Sequence, residues 1–162
     1  MTDKITLEDV ARQLDNIGLQ FMATIGLDGK PKVRPMQYMV TYENKLWFCT
    51  NSKKEVYAEL TANPYLELCG SKLETDEIKT SWIRFSAEAV FADDLHVKEL
   101  IMKKSKIVYE LYKDDINNPI FKVFYIKNLK GVMDKPGSRQ RTGGEQQLQQ
   151  TDIIRAVTRN KD

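Results

Sequence analysis

Two short segments of the chain concentrate side chains that can bind an anion. Arg34 lies inside the first segment, residues 32–36 (KVRPM), and the second, residues 50–54 (TNSKK), stands where a predicted strand gives way to a predicted helix. A guanidinium, ammonium groups, hydroxyls and the free amides of a helix N-terminus all stabilise a phosphate dianion. The alternative is an exposed, salt-bridged strand edge, which is the ordinary setting of charged residues.

The two segments approach each other if their strands form a hairpin. The pattern predicts one strand over Lys32 to Tyr42 and the next over Leu46 to Thr50, with the polar residues 43–45 (ENK) as the turn. Such a hairpin would bring Arg34 near the Thr50 region of the second segment.

The remaining elements follow from hydrophobic periodicity and from turn residues. Thr6 and Asp9 have the spacing of a capping box, which predicts a helix that ends near Gly18. Further strands are predicted at 21–25, 65–70, 80–92, 121–127 and 130–133, and further helices at 52–62, 95–103 (capped by Asp93 or Asp94) and 107–112. Six or seven strands with short helices, and no alternating βα pattern, predict a mainly β fold: an antiparallel, closed or partly closed barrel rather than a Rossmann fold.

The strand predicted at 80–92 has two different faces. One face is continuously apolar and is expected to point into a core; its residues are Ile83, Phe85, Ala87, Ala89 and Phe91. The other face carries the polar groups; its residues are Trp82, Arg84, Ser86, Glu88 and Val90. The alternation predicts a long strand that covers a core on one side only.

Composition excludes several classes of function. The 162 residues carry a net charge of only +2, so a general nucleic-acid binder is not expected. The chain contains no apolar run of membrane-spanning length and begins with a polar segment, which indicates a cytoplasmic protein without membrane contacts. Cys49 and Cys69 form no CxxC pair and are expected to be reduced core residues; with a single histidine, His96, they predict no metal site.

The composition changes near residue 134. Residues 1–133 contain the predicted elements, whereas residues 134–162 contain the breakers 136–138 (PGS) and 143–144 (GG) and a cluster of glutamines. Nothing after residue 134 specifies a core. We therefore expect a single domain over 1–133 and a C-terminal tail over 134–162 that is flexible or is ordered only against a partner.

An ordered series of motifs resembles a known family. The series comprises the turn 28–31 (DGKP), Arg34-Pro35, the strand 46–50 (LWFCT), residues 54–57 (KEVY), Leu60, residues 63–68 (NPYLEL) and the strand 82–89 (WIRFSAEA). It resembles the pyridoxamine 5′-phosphate oxidase-related flavoproteins, which have the FMN-binding split-barrel fold. The resemblance extends from about Leu7 to Met133 and depends on the order of the motifs rather than on any single one.

The resemblance implies a homodimer with FMN bound at the subunit interface. It implies that Arg34 and Lys54 hold the FMN phosphate, with Lys53 as the alternative to Lys54. Near the phosphate, the other implied contacts are Thr50, Asn51 and Ser52. Along the ring, the implied contacts are the backbone groups of Pro35, Met36 and Gln37. The strand of Trp82 is also implied to approach the cofactor, and it can come from the second subunit.

The expected function is that of an FMN-dependent oxidoreductase acting on an unknown small organic molecule. No catalytic residue is assigned, because the chain has no His/Asp or paired-carboxylate constellation. Oxidation of pyridoxamine phosphate itself is not expected, because the Arg- and His-bearing closing motif of the true oxidase is not recognisable. The alternatives are a deazaflavin-dependent reductase and a non-catalytic flavin or haem carrier or sensor, for which His96 is the only candidate axial histidine.

Overall fold

A computed structural model describes residues 5–73, 80–134 and 145–149 of the chain. Its helices are α1 (Leu7–Ile17), α2 (Glu55–Ala62), α3 (Leu95–Lys104) and α4 (Lys106–Tyr112). Its strands are β1 (Gln20–Ile25), β2 (Pro31–Met36), β3 (Val40–Tyr42), β4 (Lys45–Asn51), β5 (Tyr65–Leu73), β6 (Thr80–Phe91), β7 (Phe121–Asp134) and β8 (Glu145–Gln149). The mainly β fold predicted from the sequence is confirmed.

All the described strands belong to one antiparallel sheet. The two strands at the edges of its main path, β2 and β3, follow each other in the chain. The main path runs β2-β1-β5-β6-β7-β4-β3, and β8 pairs with β7 beside this path. Residues 37–39 connect the edge strands β2 and β3, and no pairing joins these two strands within the described part of the chain. The barrel is therefore split at this connection, as the resemblance implied.

The hairpin expected to bring Arg34 beside Thr50 is not formed. The predicted strand 32–42 breaks into β2 and β3; β2 pairs with β1, and only β3 pairs with β4. Pro31 and Pro35 explain part of this outcome, since a proline has no amide hydrogen and is tolerated mainly in edge strands such as β2. Arg34 consequently lies opposite Met22 of β1.

The inner face of the sheet forms the main core together with α1. Ile83 and Phe85 of β6 are completely buried, in agreement with the predicted apolar face. Helix α1 contributes Val10 and Leu14, and the predicted capping box is present, with Thr6 accepting from the Asp9 amide. Along β5 it is Leu66, Leu68 and Gly70 that take this inner face, and burial of these apolar groups drives the packing.

Because side chains alternate along a strand, the neighbours of the inner-face residues of β5 point outward. Cys69 is therefore exposed on the outer face of β5, and its expected place in the core is wrong. Cys49, on β4, is half-buried and packs against a second apolar cluster. This cluster covers the opposite face of β4 and β7 and includes Trp47, Ile101 of α3 and Tyr112 of α4.

Helix boundaries agree with the sequence expectations except at the start of α2. The predicted helix 52–62 begins at Glu55, because residues 52–54 form a turn instead. Asp94, rather than Asp93, caps α3 by accepting from the amide of Val97. Within the described residues, no helix is long and apolar enough to span a membrane.

Near the C-terminus, β7 is one strand where two were predicted. It continues through Asn128, which has a φ of 55°, beside an irregularity in the pairing with β6 between Ser86 and Glu88. Strand β8, from the predicted tail, pairs antiparallel with residues 130–134 of β7. The rest of the tail, residues 135–144 and 150–162, lies outside the described residues, so the domain boundary remains a prediction.

Close packing of β6 against β7 generates a stability prediction. A methyl group on Gly131 would lie 2.1 Å from the carbonyl oxygen of Arg84 and 2.5 Å from Cα of Phe85. We expect Gly131→Ala to lower the free energy of unfolding by about 1–3 kcal/mol, the usual cost of overpacking. Chemical denaturation measures this change; the control, Lys130→Ala at the exposed neighbouring position, should stay within about 0.5 kcal/mol. Equal stability of the two variants would contradict the prediction.

Candidate functional site

A cavity of about 440 Å³, which we call the lysine cavity, opens between the β1–β2 turn, the loop after β4 and helix α2. Its lining residues are Leu27, Asp28, Lys32, Ser52, Lys53, Lys54, Glu55, Ala58 and Glu59. Three residues of the predicted anion-binding segment, Ser52, Lys53 and Lys54, are thus brought together at one cavity. Its size is within the range of small-ligand sites.

The loop over residues 52–54, which we call the lysine loop, is held by three hydrogen bonds from its backbone amides. The amide of Lys53 donates to Oδ1 of Asn51 at 2.8 Å, and the amide of Lys54 donates to the Asn51 carbonyl at 2.9 Å. The amide of Ser52 donates to the carbonyl of Ile120 at 2.9 Å. No side chain caps the amino end of α2, where Lys54 is the N-cap residue. The side chains of Lys53 and Lys54 therefore extend from a hydrogen-bonded turn at the uncapped amino end of α2. This end of the helix carries partial positive charge.

The charges around the cavity differ in how well they are compensated. Lys32 pairs with Asp28, with 3.2 Å between Nζ and Oδ2. The backbone amide of Lys30, followed by the Lys32 ammonium, lowers the pKa of the Asp28 carboxyl. Among the described residues, neither Lys53 nor Lys54 has an ion-pair partner. These two ammonium groups are the uncompensated cations of the cavity.

Arg34 meets a buried carboxylate and a buried hydroxyl beneath the cavity. Nη2 of Arg34 lies 2.5 Å from Oε2 of Glu59, and Nη1 donates to Oγ1 of Thr24 at 2.5 Å. The Thr24 hydroxyl in turn donates to the same Glu59 oxygen at 2.6 Å. The side chain of Glu59 is only 3% exposed and that of Arg34 is 20% exposed. We call these three residues the Glu59 triad; it joins β1, β2 and α2.

Strand register and helix position explain how the triad assembles. Thr24 pairs with Lys32 and Arg34 with Met22, so Thr24 and Arg34 are diagonal neighbours on one face of the β1–β2 pair. Helix α2 lays Glu59 over that face. Arg34 is therefore near the lysine loop because of α2, not because of the expected hairpin.

Glu59 was not identified from the sequence, although a signal was available. Val56, Glu59 and Leu60 lie on the same face of α2, and the structure buries all three. A carboxylate on the apolar face of a short helix requires a cation or a donor nearby. Arg34 and Thr24 satisfy this requirement from strands that are distant from Glu59 in the sequence.

The other predicted contact residues lie at the carboxyl ends of strands β2 and β4. Pro35 and Gln37 are exposed at the end of β2 and Met36 is buried there. Thr50 and Asn51 end β4 and lead directly into the lysine loop.

The predicted residue Trp82 does not line the cavity of the single chain. It is half-buried on β6, where its backbone amide donates to the Asp134 carboxylate at 3.0 Å. Its carbonyl oxygen accepts from Nε2 of Gln13 at 3.3 Å. These bonds fix the start of β6 against α1 and the end of β7.

Cys49 lies close to the lysine loop but is not prepared to act as a nucleophile. Its apolar surroundings raise the pKa of the thiol to about 12, and the charge of nearby Lys54 offsets this only in part. The reactive form of cysteine is the thiolate. At neutral pH Cys49 is therefore a neutral packing residue beside the site. Within the described residues, no group of histidine, cysteine or acidic side chains could hold a metal ion.

The sequence matches a known protein family over most of its length. The model of the family described as pyridoxamine 5′-phosphate oxidase matches residues 7–129. This range contains the lysine loop, the Glu59 triad and strands β1 to β6. No curated protein matches the chain.

Several solved structures share the fold. A NimC/NimA family protein from Clostridium acetobutylicum is 25% identical, with a TM-score of 0.72 and coverage of 88% of this chain and 93% of that one. General stress protein 26 from Bacillus anthracis is 12% identical, with a TM-score of 0.64 and coverage of 88% and 97%. A haem-binding protein from Mycobacterium smegmatis is also 12% identical, with a TM-score of 0.64 and coverage of 94% and 61%. The last two likenesses show the fold alone.

The Glu59 triad predicts different effects for two cations of the site. Arg34→Ala leaves the carboxylate of Glu59 buried without its counter-ion, so we expect a loss of about 3–5 kcal/mol in the free energy of unfolding. Lys54→Ala removes an exposed side chain without an ion-pair partner among the described residues, and we expect a change of at most about 0.5 kcal/mol. Urea denaturation at pH 7 measures both values. Similar values for the two variants would show that Arg34 does not support the fold.

Proposed function

Because the chain belongs to the pyridoxamine 5′-phosphate oxidase family, we propose that it binds FMN and acts as an FMN-dependent oxidoreductase on a small organic molecule. The observation that carries the proposal is the pair of uncompensated cations, Lys53 and Lys54, at the cavity beside the end of β4. Bound FMN would supply the hydride- and electron-transfer chemistry, and the chain would supply binding and orientation.

The residues around the cavity fit a phosphate monoester. Lys53 and Lys54 offer two ammonium groups, Ser52 offers a hydroxyl, and the uncapped end of α2 faces the same region. Each of these groups stabilises a dianion. Arg34 takes part indirectly, by holding Glu59 in the cavity wall. The lysine loop is thus the proposed phosphate site, and both Lys53 and Lys54 belong to it.

The remaining surface of the barrel supports a second part of the proposal, a homodimer. The outer face of β2, β1 and β5, which we call the outer sheet face, exposes Phe21, Ile25, Val33 and Tyr65. Large adjacent apolar side chains on a sheet usually mark an interface. A second copy of this chain would bury them, on the side of the β1–β2 pair opposite to Arg34 and Lys32.

Haem is the competing ligand, because one of the structural neighbours is a haem-binding protein. His96 is the only histidine of the sequence. It lies on the first turn of α3, its side chain is more than half exposed, and its ring centre is 4.9 Å from that of Tyr42. It does not line the lysine cavity. A haem held through His96 would therefore occupy a different place from the phosphate site, and replacing His96 would abolish its binding.

The cofactor proposal predicts a flavin spectrum and a specific dependence on the two lysines. Titration of stripped protein with FMN should quench the flavin fluorescence. Lys53→Ala and Lys54→Ala should each weaken binding by about 1.5–3 kcal/mol, the range for hydrogen bonds to charged groups. Lys103→Ala, at an exposed position on α3, is the control and should bind FMN like the parent chain.

Two outcomes would reject parts of this proposal. Equal affinity in the parent chain and in both lysine variants would reject the phosphate site while leaving the cofactor in place. Haem would replace FMN in the proposal if the protein does not bind FMN, develops a Soret band with haem, and loses that band in the His96→Ala variant.

The homodimer predicts that a charge on the outer sheet face separates the two copies. Val33 is 67% exposed there, and Val33→Glu should shift the protein from dimer to monomer because the buried glutamate would lack a partner. Ile107 of α4 is 74% exposed outside this face, so Ile107→Glu is the control and should remain dimeric. Sedimentation velocity measures the mass of each variant. A cofactor-loaded parent monomer at micromolar concentration would contradict the prediction.

A further inference from the structure

The carboxylate of Glu59 uses only one of its two oxygens within the described part of the chain. Oε2 accepts from both Arg34 and Thr24. No described residue donates to Oε1, although the side chain of Glu59 is only 3% exposed. No buried side-chain oxygen or nitrogen among the described residues lacks a partner, so Oε1 is in contact with solvent. Since Glu59 lines the lysine cavity, Oε1 is an acceptor that opens into it.

We propose that Glu59 is a specificity-determining residue that accepts a hydrogen bond from a hydroxyl of the ligand whose phosphate is bound by Lys53 and Lys54. The ligand class is then a phosphate monoester of a polyhydroxylated chain. This inference rests on the proposed function, because the ribityl phosphate portion of FMN belongs to that class.

The charges around Glu59 select a neutral donor. A carboxylate can only accept, so the ligand group at Oε1 has to carry a hydrogen. A second anionic group cannot donate and would be repelled. An ammonium would meet Lys53 and Lys54 across the cavity, with Arg34 behind the carboxylate. A neutral hydroxyl satisfies Oε1 without adding charge to the site.

The triad prepares Glu59 for this role. Arg34 and Thr24 fix Oε2, so the carboxylate has little freedom to turn away from the cavity. A fixed acceptor loses less conformational entropy on binding than a free side chain. A ligand without the hydroxyl would cover Oε1 and leave it unsatisfied, which is the situation in which polar sites discriminate most strongly.

The test compares ligands that differ only in their hydroxyls. Stripped protein is titrated with FMN and with an FMN analogue in which hydrogens replace the ribityl hydroxyls. We expect the parent chain to prefer FMN by about tenfold or more. Equal affinity for the two flavins in the parent chain overturns the inference, and this comparison requires no variant.

Two variants assign the preference to Glu59. Glu59→Gln removes the charged acceptor and should reduce the preference to about threefold or less. Glu55→Gln removes one negative charge from the same cavity lining at an exposed position, so it should change the affinity for both flavins while keeping their ratio. Thermal unfolding of each variant verifies folding. An unchanged ratio in folded Glu59→Gln would assign the preference to another residue and overturn the inference.

A flavin-free pair of probes separates this inference from the FMN proposal. Ribitol 5-phosphate and pentyl phosphate have the same chain length and the same phosphate and differ only in their hydroxyls. If calorimetry shows a preference for ribitol 5-phosphate and the chain does not bind FMN, the role of Glu59 is retained and FMN is rejected. Binding of FMN without any discrimination between the two phosphates, or between the two flavins, would retain FMN and reject the role of Glu59.

Discussion

The carboxylate of Glu59 lies under the lysine cavity and is almost completely removed from solvent. An unpaired charge in that position would cost several kcal/mol, so the carboxylate requires donors in fixed places. Arg34 on β2 and Thr24 on β1 are those donors. These bonds join helix α2 to the β1–β2 pair at Glu59, a residue of the cavity lining. The position of the cavity depends on this constraint.

The lysine loop takes its place from the same helix. Residues 52–54 connect the end of β4 to the start of α2, so they are anchored by strand pairing on one side and by the Glu59 triad on the other. The side chains of Lys53 and Lys54 are exposed at this junction. The structure thus separates two roles that the sequence had combined: Arg34 supports a buried carboxylate, and the two lysines carry the uncompensated positive charge.

The split in the sheet separates two strands that are neighbours in the chain. β2 and β3 are consecutive in the chain yet lie at opposite edges, and residues 37–39 cross between them. The prolines of β2 suit an edge because they need no partner for an amide hydrogen. The outer sheet face beside this edge exposes large apolar side chains in the single chain. Because Val33 and Phe21 lie on the opposite side of the β1–β2 pair from Arg34 and Lys32, this surface fits the proposed contact between two copies and is not a wall of the lysine cavity.

Local patterns in the sequence determined the elements, because they depend on neighbours in the chain: the capping box of α1, the alternation along β6 and the turn residues 28–31 (DGKP) all specify local geometry. They also placed Ser52, Lys53 and Lys54 at the junction of a strand and a helix, although the predicted helix began at residue 52 and α2 begins at Glu55. Strand pairing and the burial of Glu59 were decided only by the tertiary structure. A pairing partner can lie anywhere in the chain, which is why the expected hairpin of β2 with β4 was wrong. Likewise, a glutamate in a short helix has no assigned partner until folding brings two distant strands beneath it.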